Sequence, residues 1–157
     1  MSKLYYVCLE NNYNDVVELI KIGEYNRYDK YASFILSVRL GYFDIVNLLI
    51  DYKSIPINIC EHSCRGGNLE CLKMFYDLKF PLTIFCSIEA VRFNHFHILE
   101  WLLYKQCPIN EFTFKEGVKK NNIKIIKWLI NQKIKWDTTV TKAAGTTGNL
   151  KLLKWLI

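Results

Sequence analysis

The segment NIKIIKWLI, from Asn122 to Ile130, returns almost unchanged as NLKLLKWLI from Asn149 to Ile157, 27 positions later. A repeat this regular restricts the chain to folds assembled from one recurring unit. The residue before each copy is Asn121 or Gly148, and moving upstream by 27, 27, 26 and 29 positions reaches Asn94, Gly67, Gly41 and Asn12. Only 20 of the 157 residues are Gly or Asn, the two types that most readily take the left-handed conformation closing a helix. Their recurrence marks a structural turn.

Other columns follow once this turn is the anchor. Four residues before it come Cys8, Ser37, Ser63, Ala90, Gly117 and Ala144, all small, as expected where one helix backbone approaches another. Four and five residues after it come apolar pairs such as Ile45 and Val46, Ile98 and Leu99, or Ile125 and Ile126. Seven and eight after it come Leu48 and Leu49, Met74 and Phe75, Trp101 and Leu102, Trp128 and Leu129, Trp155 and Leu156. This spacing is one apolar stripe on a helix, and it predicts buried tryptophans. Each unit therefore reads as a short helix, a Gly or Asn turn, and a second helix with a strongly apolar face. One such hairpin cannot bury that face alone, whereas stacked neighbours can.

The segments GNLECLKMFY from Gly67, NHFHILEWLL from Asn94 and GNLKLLKWLI from Gly148 resemble the helix pair of the ankyrin repeat. The short period, the Trp-Leu pairs and the CPI of Cys107 to Ile109 are more specifically similar to the abbreviated ankyrin repeats of giant DNA viruses of the mimivirus type. The resemblance implies an all-α, ankyrin-like solenoid of stacked helix-turn-helix repeats, with units at 3–31, 32–57, 58–84, 85–111, 112–138 and 139–157. It also implies a modular protein-binding surface on the exposed sides of the first helices. An ordinary ankyrin repeat is about 33 residues long and carries a Thr-Pro-Leu-His tetrapeptide. No unit here contains it, and the shorter period leaves little chain for a projecting β-hairpin between units.

Half of the chain, 51%, is hydrophobic and 23% is charged, which suits one folded core and excludes disorder. Pro56, Pro81 and Pro108 fall in the connectors, no low-complexity linker interrupts the chain, and 1–157 is expected to be a single domain. No apolar run reaches the ~20 residues that span a bilayer, and the start, MSKLYYVCLENNYND, lacks the pattern of a secretory leader. The expected location is the cytosol or nucleus. Most of the six cysteines fall on repeat columns, as buried free thiols of a reducing compartment. Cys60, His62, Cys64 and Cys71 are the alternative as a metal set. They lack two close Cys/His pairs, and His62 sits two residues from Cys60, off the face that Cys60 shares with Cys64. Neither a metal nor a cofactor is expected.

An enzyme should offer a nucleophile with its base, a phosphate loop or paired carboxylates in a cleft. The one double-glycine segment, CRGGNLE from Cys64, lacks the Walker Lys-Ser/Thr ending and is a repeat turn. Asp15, Asp44 and Glu70 stand three residues after their turns, where carboxylates favour the helix dipole. No enzymatic activity is expected.

What remains is surface. Two residues before the turn stand Glu10, Arg39, Arg65, Arg92, Lys119 and Thr146, so four consecutive units carry a cation. At roughly 8–10 Å per stacked unit, Arg39, Arg65, Arg92 and Lys119 would form a ladder about 30 Å long. Offsetting of helix dipoles explains such cations without function. Residues 101–157 hold 11 Lys and Arg against 3 Asp and Glu, and Lys124 and Lys151 stand in first turns that disfavour cations. The expected partner is a protein with an acidic surface, drawn in by Lys115, Lys120 and Lys142. Nucleic acid bound by the basic end is the alternative. The last helix ends on Trp155, Leu156 and Ile157 with no capping segment, so it is expected to be frayed, to self-associate, or to belong to a truncated relative of longer proteins.

Overall fold

The computed structural model describes residues 2–148 and 150–156, apart from the side chain of Lys151. Expectations resting on Asn149, on Ile157 and on the Lys151 side chain lie outside the described residues. The chain divides into two compact units, Met1–Pro81 and Leu82–Ile157, within the span expected as one domain. All regular structure among the described residues is α-helical.

The first unit holds α1 (Lys3–Leu9), α2 (Tyr13–Ile22), α3 (Arg27–Leu40), α4 (Phe43–Leu49), α5 (Ile59–Gly66) and α6 (Leu69–Asp77). The second holds α7 (Ile84–Arg92), α8 (Phe96–Tyr104), α9 (Glu111–Lys119), α10 (Ile123–Asn131), α11 (Thr138–Thr146) and α12 (Leu150–Leu156). Successive helices pair as hairpins. In each unit the first members of the pairs pack side by side, α1 on α3 on α5 and α7 on α9 on α11.

The helices begin where side chains accept the orphan amides of a first turn. Asn12, Asn68 and Asn122 cap α2, α6 and α10, and Thr83, Asn110 and Asp137 cap α7, α9 and α11. The expected boundaries at 85, 112 and 139 thus stand one residue inside their helices. Repeat two differs more. Asn26 and Asp29 form a reciprocal capping box, so α3 begins at Arg27 rather than within a unit opening at 32.

The hairpin turns use Asn11, Gly41, Gly67, Asn94, Asn121 and Gly148, all at positive φ. In the first hairpin the left-handed turn residue is Asn11, one position before the anchor inferred from spacing. Its successor Asn12 donates its amide to Val7, as His95 does to Ala90 and Asn122 to Gly117. Val7 rather than Cys8 therefore occupies the small column, and Leu9 rather than Glu10 the column of cations. Asp15 lies four residues after the turn and is bound by its own cap residue, Asn12, at 2.7 Å.

A second left-handed turn closes the later hairpins at Lys79, Gln106 and Lys133, again 27 apart. There the amides of Phe80, Cys107 and Ile134 return to the carbonyls of Phe75, Leu102 and Leu129. The chain then enters the next cap within a few residues, and no strand forms among the described residues.

The core is the stripe four, five and eight residues after the four middle turns, including Ile45, Val46 and Leu49 in one unit and Ile125, Ile126 and Leu129 in the other, whereas the first turn buries only Val16 and Leu19 of its stripe and the last only Leu152 and Leu156. The position seven after the turn does not join it. Trp101 and Trp128 are half-buried, and Trp155 is 47% exposed, contrary to the expected buried column. At about 100° per residue, that position lies roughly 100° from the centre of the stripe, on its flank.

Candidate functional site

The four cations singled out by sequence come from the last turns of α3, α5, α7 and α9. The structure treats them in two ways.

In the first unit, Arg39 and Arg65 are half-buried on adjacent helices, and α5 approaches α3 closely through Gly66. A Cβ at Gly66 would stand 2.5 Å from the Val38 carbonyl oxygen and 2.6 Å from that of Arg39. The CRGGNLE segment is thus a packing device. His62, half-buried on α5, feels both arginines. Its imidazole is held below the usual histidine range by burial first, then by the charges of Arg39 and Arg65. Arg39 has no ion pair among the described residues. These side chains form a local positive field with a titratable group inside it.

In the second unit the cations are compensated. Glu116, only 9% exposed on α9, accepts a hydrogen bond from Arg92 Nε at 2.8 Å, and Arg92 also pairs with Glu89 on its own helix. Lys119 Nζ stands 4.0 Å from the other Glu116 oxygen. The Arg92 guanidinium is held above its usual range, first by the Glu116 hydrogen bond and, after some loss to desolvation, by the Glu89 and Glu116 charges. Arg92 therefore ties α7 to α9, and the two cations of the expected ladder in this unit carry ion pairs within the molecule. The sequence signal was present: Glu89 and Glu116 stand three residues before Arg92 and Lys119, a helical ion-pair spacing, whereas His62 holds that place before Arg65.

Two further features escaped the spacing argument. One is a tie between turns. The Asn68 amide group donates to the Gly41 carbonyl at 2.7 Å while its oxygen caps α6, and Asn122 likewise donates to the Asn94 side chain at 2.7 Å. The other is an outward aromatic and basic surface on the second unit. Lys124 Nζ lies 4.4 Å from the Phe96 ring centroid, and Phe96 meets Trp128 edge-on. Lys115 is half-buried, and Lys120 and Lys142 are exposed, with no ion pair among the described residues.

Cys60, Cys64 and Cys71 are buried free thiols, and Cys71 is pushed up to about 12, by burial first and then by Glu70. Among the described residues no group of three or more His, Cys, Asp and Glu is placed to hold a metal ion. No described helix is long and apolar enough to cross a membrane.

No family model matches the chain, and no curated protein is significantly similar to it. Among the described residues the chain is all-helical, built of paired helices with repeating turns and caps.

Proposed function

We propose that this protein is a non-enzymatic ankyrin-like solenoid, with shortened repeats of the giant-virus type, that recognises a protein bearing an acidic surface inside the cell. The observation that carries the reading is the placement of Arg39 and Arg65 around His62 on adjacent first helices, where a positive field faces no ion pair to Arg39. Within this reading Arg92 and Lys119 shape the second unit, and the docking charge belongs to the first. The side-by-side first helices of each unit support the repeat assignment, and six buried free thiols support a reducing compartment.

Affinity capture from the native cell with the wild-type chain and with Arg39→Gln/Arg65→Gln tests this. The expected outcome is an acidic protein retained by the first and lost by the second, with an association rate that falls as salt is added. Docking of carboxylates there also raises the His62 pKa, which NMR reads directly. Equal retention by both chains refutes the docking site.

Nucleic acid on the second unit is the competing reading, favoured by Lys124 over Phe96 and by the half-exposed Trp128. Binding of mixed-sequence RNA or DNA that weakens steeply with salt, and is abolished by Lys124→Gln/Lys127→Gln, would establish it instead.

A further inference from the structure

We infer that the cleft at the start of α3 is a docking site for an acidic segment of a partner protein that presents an aromatic ring beside its carboxylates. The inference rests on the protein-recognition reading and adds a second contact point on the same unit.

The cleft exists because repeat two is asymmetric. Both α3 and α5 end at a glycine turn, but α3 has 14 residues and α5 has 8. At about 1.5 Å per residue, α3 therefore begins roughly 9 Å further out than its neighbour. Its companion α4 stops after 7 residues, and the chain from 50 to 58 follows without helix. The space between the overhanging start of α3 and the end of α4 has a volume of about 410 Å³.

Its lining is graded. Phe34 and Leu49, 4% and 1% exposed, form the floor, and Phe34 is held edge-on against the core ring of Phe75. Tyr28 and Tyr31 are exposed walls, and Arg27 and Lys30 stand at the rim. An apolar, aromatic floor with a few polar groups above it is the usual make-up of a ligand pocket, and the volume lies at the small end of the common range. It has room for one ring and the backbone beside it.

Charge selects the occupant. Arg27 and Lys30 lie at the N-terminal end of α3, where the helix dipole disfavours cations, so dipole compensation does not account for them. The negative groups nearby are already engaged. Asp51, which also lines the cleft, accepts hydrogen bonds from the Ser54 hydroxyl and the Lys53 amide and, more weakly, feels the charges of Lys30 and Arg27, and Asp29 is held in the capping box with Asn26. Among the lining side chains the two cations face one carboxylate, which leaves one positive charge in excess. A ring on Phe34 and Leu49 with carboxylates reaching Arg27 and Lys30 satisfies both parts of the site.

The test titrates the ¹⁵N-labelled full chain with the synthetic peptide acetyl-Glu-Glu-Phe-Glu-Glu-amide, alongside peptides with Ala for Phe and with Gln for Glu. Amide shifts should cluster on α3 and residues 49–54. Replacing Phe by Ala should weaken binding about tenfold or more, given the apolar area involved. Arg27→Gln/Lys30→Gln should weaken it about three- to tenfold, as exposed ion pairs do, while leaving the amide spectrum otherwise native. Equal binding of the Ala peptide, or no effect of the double variant, overturns the inference. Shifts confined to Arg39, His62 and Arg65 overturn it too, yet leave the first-helix docking surface standing. Loss of that surface, by contrast, is read from Arg39→Gln/Arg65→Gln with the cleft intact.

Discussion

Gly66→Ala should separate close helix packing from helix propensity with a clear sign. The added methyl would meet the Val38 oxygen at 2.5 Å, the Arg39 oxygen at 2.6 Å and the Arg39 carbonyl carbon at 2.8 Å. All three are backbone atoms of α3 and cannot rotate away. Relief requires α5 to retreat from α3 by several tenths of an ångström, and overpacking of this kind costs about 1–3 kcal/mol. With rigid neighbours the upper part of that range applies, offset by about 1 kcal/mol gained on replacing Gly by Ala in a helix. The expected result is a net loss of about 2 kcal/mol. Gly145, within α11, is the matched control: a Cβ added there would meet nothing within 4 Å, so Gly145→Ala should gain about 0.5–1 kcal/mol. Urea unfolding followed by circular dichroism measures both. A Gly66→Ala chain as stable as wild type would refute the close approach of α3 and α5, and with it the placement of Arg39 and Arg65 around His62.

Four other outcomes follow from the same geometry. Asn68→Ala removes the α6 cap and the bond to the Gly41 carbonyl, and should lower stability by about 2 kcal/mol in urea titration. Arg92→Met strips the nearly buried Glu116 of its main partner and should cost about 1–3 kcal/mol, with hydrogen exchange quickening in α7 and α9. Because His62 binds its proton less readily when folded, the unfolded chain takes up more protons as pH falls below about 6.5, so stability declines with acid; His62→Gln should flatten that decline. Cys71 behaves oppositely in direction of pH: the unfolded thiol ionises near 9.0 and the folded one at about 12, so its contribution is complete below pH 9 and is lost as pH rises between those values. Unfolding midpoints across that window, compared with Cys71→Ala, read the difference.

Much of the fold is legible because its punctuation is local. A left-handed turn needs Gly or Asn for steric reasons, and the apolar stripe needs helical spacing, so residues such as Gly67, Asn94 and Ile125 declare themselves. Lys79, Gln106 and Lys133 did not, although they turn the chain in the same conformation. There the following amides and the buried Phe75, Leu102 and Leu129 hold a geometry that local preference would resist. The same limit explains the tryptophans: an apolar residue on the flank of a stripe looks like core until its neighbours are placed. It explains Asn11 as well, since two adjacent asparagines offer the same local signal and only the returning amide of Asn12 distinguishes them.

The candidate cations were legible in position but not in their ion pairing, and the reason lies one helical turn away from them. Where Glu stands three residues before the cation, as in Glu89–Arg92 and Glu116–Lys119, the charge is paired within its own helix, and Arg92 also reaches Glu116 on the next. Where His62 stands there instead, no carboxylate from that position meets Arg65, and the imidazole is itself pressed towards neutrality by burial first and then by the two arginines. One column thus separates Arg92 and Lys119, which have a carboxylate at that position, from Arg65, which has an imidazole there. The sorting can be reversed: His62→Glu would place a carboxylate three residues before Arg65, and should abolish capture of an acidic partner. If the partner still bound the His62→Glu chain undiminished, the positive field around position 62 would have no part in recognition.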